Sequence, residues 1–216
     1  MKTYRKIPNI FEFDSLTRKP IRIAEPFLTL KDIQWVGTEK VDGTNIRVYW
    51  DGYRISIAGR TDKAEIPPHL YKYLSDLFLT PEMESLFEQT FGDKEVYIFG
   101  EGYGAKIQKN GELYSETPKF IVFDVTVDGN ELSLMNISNV ALKLGLSRVD
   151  VVFQGTLEEA IAYVKQHPSS HLNGGAHEME GLVLLPLAAK LYDKNGDIIK
   201  CSKCKCKWRE VKEWNN

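Results

Sequence analysis

Long apolar runs are missing from this sequence. No stretch reaches the about 18 consecutive apolar residues that span a bilayer, and Met1 to Ile10 mixes basic and apolar residues without a signal-peptide core. The expectation is a cytoplasmic chain with no membrane partner. Cysteine is scarce: the three residues all fall between Cys201 and Cys206. So close a group, odd in number, cannot staple distant parts of a secreted fold, which points to a reducing compartment. The four histidines form no His-Glu-x-x-His pattern. Internal repeats, low-complexity tracts and a Pro/Gly-rich linker are also lacking, so a single domain over residues 1–216 is expected.

A strong net charge is absent as well. The total of -2 argues against a uniformly basic nucleic-acid binder, but its distribution is uneven. Residues 1–22 carry six basic and two acidic side chains, residues 198–216 the same, and the intervening body is acidic. Two basic ends can meet phosphates locally, or can simply be solvated.

Strand signals dominate what is present. Asn45–Trp50 and Tyr53–Ile57 flank Asp51-Gly52, a dipeptide suited to a two-residue hairpin turn. Phe120–Val125 followed by Asp128-Gly129 repeats the device, and Val96–Phe99 and Gly181–Leu185 are apolar enough for buried strands. Helices are expected over Pro68–Leu79, Pro81–Gln89, Ile137–Leu144 and Thr156–Gln166, the last opened by a Thr156/Glu159 capping box and followed by Pro168. Strands and helices that do not alternate regularly imply an α+β fold with antiparallel sheets.

Chemistry concentrates at a few places. Lys40 follows the apolar stretch Ile33–Val36 and precedes Asp42-Gly43, so one amine is presented at a strand end beside a turn where backbone can approach a ligand. An amine is a nucleophile only when unprotonated, which desolvation or neighbouring cations favour. A Lys-x-Asp-Gly alone is weak, because surface turns of that composition are common. Near the end, period-two spacing puts Lys203, Lys205 and Lys207 on one strand face and Cys204 and Cys206 on the other. Aligned ammoniums repel unless anions or solvent neutralise them, which suits a phosphate site. Cys201, Cys204 and Cys206, with His171 or His177, also permit a zinc site, against the simpler view of small side chains packing behind a strand.

Five segments in order strengthen the case for Lys40. Lys40-Val41-Asp42-Gly43-Thr44-Asn45, Phe99-Gly100-Glu101-Gly102, Phe120-Ile121-Val122-Phe123-Asp124, Glu180-Gly181-Leu182-Val183 and a closing Lys-x-Lys strand resemble motifs I, III, IIIa, IV and V of the covalent nucleotidyltransferases, over residues from about Glu39 to Lys207. Asn45 stands where DNA ligases and capping enzymes carry arginine, so the pattern is similar to the ATP-dependent RNA ligases, in particular the phage type that seals nicks in duplex RNA. Arg47 is near but out of register.

This resemblance implies two antiparallel sheets with flanking helices forming a nucleotide cleft, the adenylyltransferase (ATP-grasp-like) ligase core. It implies ATP and Mg²⁺ or Mn²⁺ as cofactors, RNA or RNA-containing duplex ends as partners, and a role in RNA repair, in a host cytoplasm for a viral chain. Lys40 would become adenylylated, AMP would pass to a 5′-phosphate, and a 3′-hydroxyl would displace it. Glu39 matches a position that accepts from the adenine amino group, Asn45 one near the reacting phosphate, and Arg60 a basic residue that binds phosphate or nucleic acid. Glu101 would reach a ribose hydroxyl or a metal, Phe123 would stack on adenine, and Glu180 would hold the metal. Motif V supplies two lysines to the α-phosphate: Lys203 and Lys205 are the choice, with a slip to Lys205 and Lys207 left open. By strand periodicity, Asp124 would face away from Phe123.

Two alternatives remain: an RNA guanylyltransferase of the capping type, and a non-catalytic nucleic-acid-binding protein of the same fold. The sequence ends nine residues after Lys207, without the added C-terminal domain of many ligases. That implies a minimal ligase, or one completed by a missing segment, by a partner protein, or by the basic side chains Arg5, Lys6, Arg18, Lys19 and Arg22.

Overall fold

The computed structural model describes residues 1–25, 27–187 and 203–214. In chain order the strands and helices are β1 (Phe11–Phe13), β2 (Pro20–Ile23), β3 (Trp35–Glu39), β4 (Thr44–Trp50), β5 (Ile55–Gly59), α1 (Pro68–Phe78), α2 (Pro81–Phe91) and β6 (Val96–Tyr103). They continue as β7 (Lys119–Val127), β8 (Asn130–Glu131), α3 (Leu134–Lys143), β9 (Val151–Gly155), α4 (Leu157–Lys165), β10 (Gly181–Pro186), β11 (Cys204–Lys207) and α5 (Trp208–Val211). The fold is α+β, and the strand pairings within its sheets are antiparallel. Contacts divide the chain into two compact units, the first comprising Met1–Arg5 and Asp42–Val149, the second Lys6–Val41 and Asp150–Asn216.

The first unit is built on a five-stranded sheet in the order β5-β4-β6-β7-β8. Alternation in β4 turns Ile46, Val48 and Trp50 inward, where they join Val96, Ile98 and Val125. Helices cover that face: Leu70, Leu74 and Phe78 recur every fourth residue of α1 and bury one stripe, joined by Phe87 and Phe91 of α2. Proline opens both helices, where its missing N–H costs nothing, and Thr80 caps α2 by accepting from the Met83 N–H. Helix α3 begins at Leu134, three residues before the expected Ile137, because Ser133 caps it.

The two hairpins differ. Asp128 (φ 49) and Gly129 (φ 78) form the two-residue turn expected between β7 and β8. At Asp51-Gly52 the expected two-residue turn is instead four residues long, since Trp50 pairs with Ile55. There the Asp51 carboxylate accepts from the backbone N–H groups of both Tyr53 and Arg54, a local bond that competes with the tighter turn.

In the second unit a four-stranded sheet, β11-β10-β3-β9, lies over α4, with the small β1-β2 pair beside its core. Trp35, Leu182, Leu184, Cys204 and Cys206 pack with Leu157, Ala160, Ile161 and Val164. The capping box of α4 forms as expected: Glu159 N–H donates to Thr156 Oγ, and the Thr156 N–H donates to the Glu159 carboxylate.

Candidate active site

Lys40 follows the last residue of β3, an inner strand of the second unit's sheet, and its backbone N–H donates to Gly181 O at 2.9 Å. Its ammonium pairs with Glu180, and the other oxygen of the same carboxylate pairs with Lys207. All three side chains are largely shielded, at 21%, 16% and 11% exposure. Burial alone would raise the Glu180 carboxyl, but the opposing charge of Lys40 and the bonds from Lys207 and Lys40 outweigh it and hold the group below its usual value. Half-buried Lys205 is lowered, first by desolvation and then by the like charges of Lys207 and Lys40. The result is one carboxylate set among three lysines.

The register explains this grouping. Gly181 lies opposite Lys207 and Val183 opposite Lys205, while Leu182 and Leu184 lie opposite Cys206 and Cys204. The lysines therefore leave the sheet on one face as the cysteines enter the core. Of the alternatives for the closing motif, Lys205 and Lys207 are the two joined to Lys40 and Glu180 by ion pairing or charge coupling; Lys203 is buried, with its own contacts. Of the proposed zinc ligands, Cys201 lies outside the described residues. Among the described ones, no three His, Cys, Asp or Glu side chains are grouped to hold a metal.

Glu39 occupies the opposite face from Lys40. It lies across from Leu182, on the core side of β3, and is 4% exposed. Its carboxylate accepts from the Ser170 hydroxyl and, at 2.8 Å, from the His171 N–H. Sequence reasoning missed both partners, which sit in a turn with left-handed residues Asn173 and Gly174.

In the first unit Asn45 and Glu101 are register partners across β4 and β6. The glycines beside Glu101 serve packing: a Cβ on Gly100 would lie 2.3 Å from the Phe120 ring, and one on Gly102 2.6 Å from Leu70. They let the strand press on its core while the intervening carboxylate leaves by the other face. Asn45 Oδ1 is buried without a protein partner, which in a folded protein calls for an explanation. Gln108 donates to the Gly43 carbonyl at 2.8 Å, steadying the turn before Asn45. Arg60 is exposed just after β5.

Phe123 sits at a bulge. Asp124 pairs with Phe99 and Val122 with Gly100, leaving Phe123 as the extra residue, while Val122 and Val125 both enter the core. Phe123 and Asp124 therefore emerge on the same face, contrary to plain strand alternation, and Tyr4 touches both: its ring lies 5.2 Å from Phe123 and its hydroxyl donates to Asp124 at 3.1 Å. Arg47, out of register in the sequence, is fully buried and donates to Gly59 O, Met1 O, Lys2 O and the Asp62 carboxylate. It is a structural clamp.

Several solved structures share this fold. A Naegleria gruberi RNA ligase variant with ATP and Mn is 15% identical, with a TM-score of 0.62 over 99% of this chain and 63% of that one. A variant with AMP and Mn is 17% identical, with a TM-score of 0.61 over 94% of this chain and 60% of that one. The same ligase with pyrophosphate gives 17% identity and a TM-score of 0.61 over 97% and 61%. The chain thus spans about three fifths of the length of these structures. No curated protein matches it. The family model described as RNA ligase matches residues 33–202, well over half of the chain. By that match, which takes in Lys40, Glu101, Phe123 and Glu180, the chain belongs to the RNA ligase family.

Proposed function

We propose that this chain is an ATP-dependent RNA ligase core that joins 3′-hydroxyl and 5′-phosphate ends through an AMP carried on Lys40. The observation that carries the proposal is the Lys40–Glu180–Lys207 cluster at the strand ends of one sheet, in a member of the RNA ligase family. That Naegleria RNA ligase structures of the same fold hold ATP or AMP with Mn supports the choice of nucleotide.

In the first step the Lys40 amine, once deprotonated, forms an N–P bond to the α-phosphate, and the bond to pyrophosphate breaks. In the second, a 5′-phosphate oxygen takes the adenylyl group and frees Lys40. In the third, a 3′-hydroxyl attacks that activated phosphate and AMP leaves. Each step is phosphoryl transfer, so positioning and electrostatic stabilisation supply most of the rate. Lys205 and Lys207 place positive charge where negative charge grows on the phosphate oxygens. A single carboxylate at Glu180 fits a hard divalent cation brought in with nucleotide phosphates rather than a cage made by protein alone. Such a cation, held by Glu180, would neutralise the phosphates.

For the first unit, the assignments are Phe123 to the face of adenine, Glu101 to a ribose hydroxyl or the cation, and Arg60 to phosphate or RNA, a task suited to a guanidinium fork. The orphaned Asn45 oxygen suits a donor on a bound nucleotide or RNA end. The Lys40–Asn45 segment resembles that of ligases sealing nicks in duplex RNA, and the choice among nicked duplex, hybrid and single-stranded ends is left to the sealing assay.

The test uses α-labelled ATP and GTP with wild type and Lys40→Ala, followed by sealing assays on nicked duplex RNA, hybrid and single-stranded ends. A covalent label from ATP that survives protein denaturation and requires Lys40, with sealing of RNA ends, is expected. Labelling from GTP alone would make the chain a guanylyltransferase, and no label from either would make it a non-catalytic binder.

A further inference from the structure

The opening residues of the chain pack on the first unit. Arg47 Nη1 donates to the carbonyls of Met1 and Lys2 at 3.1 and 3.0 Å, the Lys2 N–H donates to the Tyr97 hydroxyl at 2.9 Å, and Arg5 pairs with Glu131 at 3.3 Å. These bonds leave Tyr4 little choice of position. Its ring lies 4.7 Å from Phe99 and 5.2 Å, edge to face, from Phe123, while its hydroxyl is tied to Asp124. Burial, with the charge of Asp124 beside it, raises the phenol well above its usual value, so it stays protonated and keeps donating.

Phe123 needs such support. As the extra residue of a bulge it has no partner opposite it on β6, so the strand ladder does not fix its direction. An edge-to-face neighbour holds an aromatic ring in one orientation at low cost. We propose that Tyr4 is a positioning residue for Phe123, making the opening segment part of the nucleotide site: the clamp on Met1 and Lys2 places Tyr4, and Tyr4 sets the ring that meets the base. The inference rests on the proposed stacking of Phe123 on adenine. It assigns binding, not chemistry, to Tyr4.

The test is the ATP dependence of Lys40 adenylylation in single turnover for wild type, Tyr4→Phe, Tyr4→Ala, Phe123→Ala and Tyr4→Ala/Phe123→Ala, with thermal melts to verify folding. Tyr4→Ala should raise half-saturating ATP about three- to tenfold and leave the rate at saturating ATP within about twofold. Tyr4→Phe, which keeps the ring, should stay within about twofold of wild type and keeps the test informative if Tyr4→Ala does not fold. The double variant should be no worse than Phe123→Ala. If the two single effects multiply, or Tyr4→Phe is as impaired as Tyr4→Ala, Tyr4 acts other than by holding Phe123 and the inference is overturned. If Phe123→Ala binds ATP like wild type, the stacking assignment itself fails, an outcome distinct from multiplying effects.

Discussion

The hydroxyl of Ser170 donates to the carboxylate of Glu39, the residue next to Lys40 in sequence but on the other face of the sheet. Both partners are buried, so neither is replaced by water when the other is lost. Removing a buried hydrogen-bond partner costs about 1–3 kcal/mol. Ser170→Ala and Glu39→Ala should each lower stability by about that amount in urea unfolding. Their effects on base choice separate two roles. If Glu39 serves to hold the Ser170–His171 turn, both variants shift the ATP-to-GTP labelling ratio equally or not at all. If its carboxylate also reads the adenine amino group, Glu39→Ala alone relaxes the ratio.

The closing lysines give a second prediction. Lys207 shares Glu180 with Lys40, and Lys205 feels the charge of both lysines. Lys205→Ala and Lys207→Ala should each reduce Lys40 labelling by about 100-fold or more, in the range of a lost transition-state charge contact. Lys203→Ala should reduce it less. Equal losses at Lys203 and Lys205 with activity kept in Lys207→Ala would restore the alternative register.

Several features set by local rules could be read from the sequence, though not the Asp51-Gly52 turn or the start of α3, while those set by distant partners could not. Asp128-Gly129 announces a tight turn because two successive positive φ angles admit few residues, and Thr156 with Glu159 announces a helix start because the two side chains satisfy each other's backbone. Lys40 stands out through the order of five motifs, and Glu180, from another of those motifs, lies beside it with Lys207. By contrast, Arg47 reads as an ordinary strand arginine, since its acceptors Met1 and Lys2 lie more than forty positions away. The bulge at Phe123 depends on pairing with β6, and no local residue marks it. Strands β1, β2 and β9 were not anticipated, being short and only partly apolar.

Gly43 sets how closely the turn after Lys40 can approach β6. A Cβ there would stand 2.3 Å from the Gly102 carbonyl oxygen and 2.9 Å from the Glu101 side chain, and the nearer obstacle is backbone. Gly43→Ala must therefore move the start of β4, where Asn45 sits, at a cost of about 1–3 kcal/mol. Adenylylation or sealing should fall more than stability alone explains. Gly129→Ala is the control: nothing crowds its Cβ, but its φ of 78 imposes a modest loss, and activity at a temperature where it remains folded should be unchanged.

Arg47 and Asp62 link stability to pH. The guanidinium is fully buried, and Asp62, itself 65% exposed, supplies its carboxylate partner at 2.7 Å. The hydrogen bond from Arg47 holds the Asp62 carboxyl below its ordinary value of 3.8, with the nearby chain-start ammonium adding to the effect. Because the folded value is the lower one, the unfolded chain binds this proton more readily. The stabilisation is thus complete above the ordinary value and is lost as pH falls through the folded one. Asp62→Asn should lower stability at neutral pH and flatten the decline of the urea midpoint between about pH 5 and pH 2 relative to wild type. Arg47→Met should do the same and also release Met1 and Lys2, whose carbonyls it holds. Protease cleavage near Lys2 should then become faster in Arg47→Met than in Asp62→Asn, since only the former loses the clamp on the backbone. Parallel acid profiles for wild type and Asp62→Asn would show that the pair contributes nothing to the pH dependence.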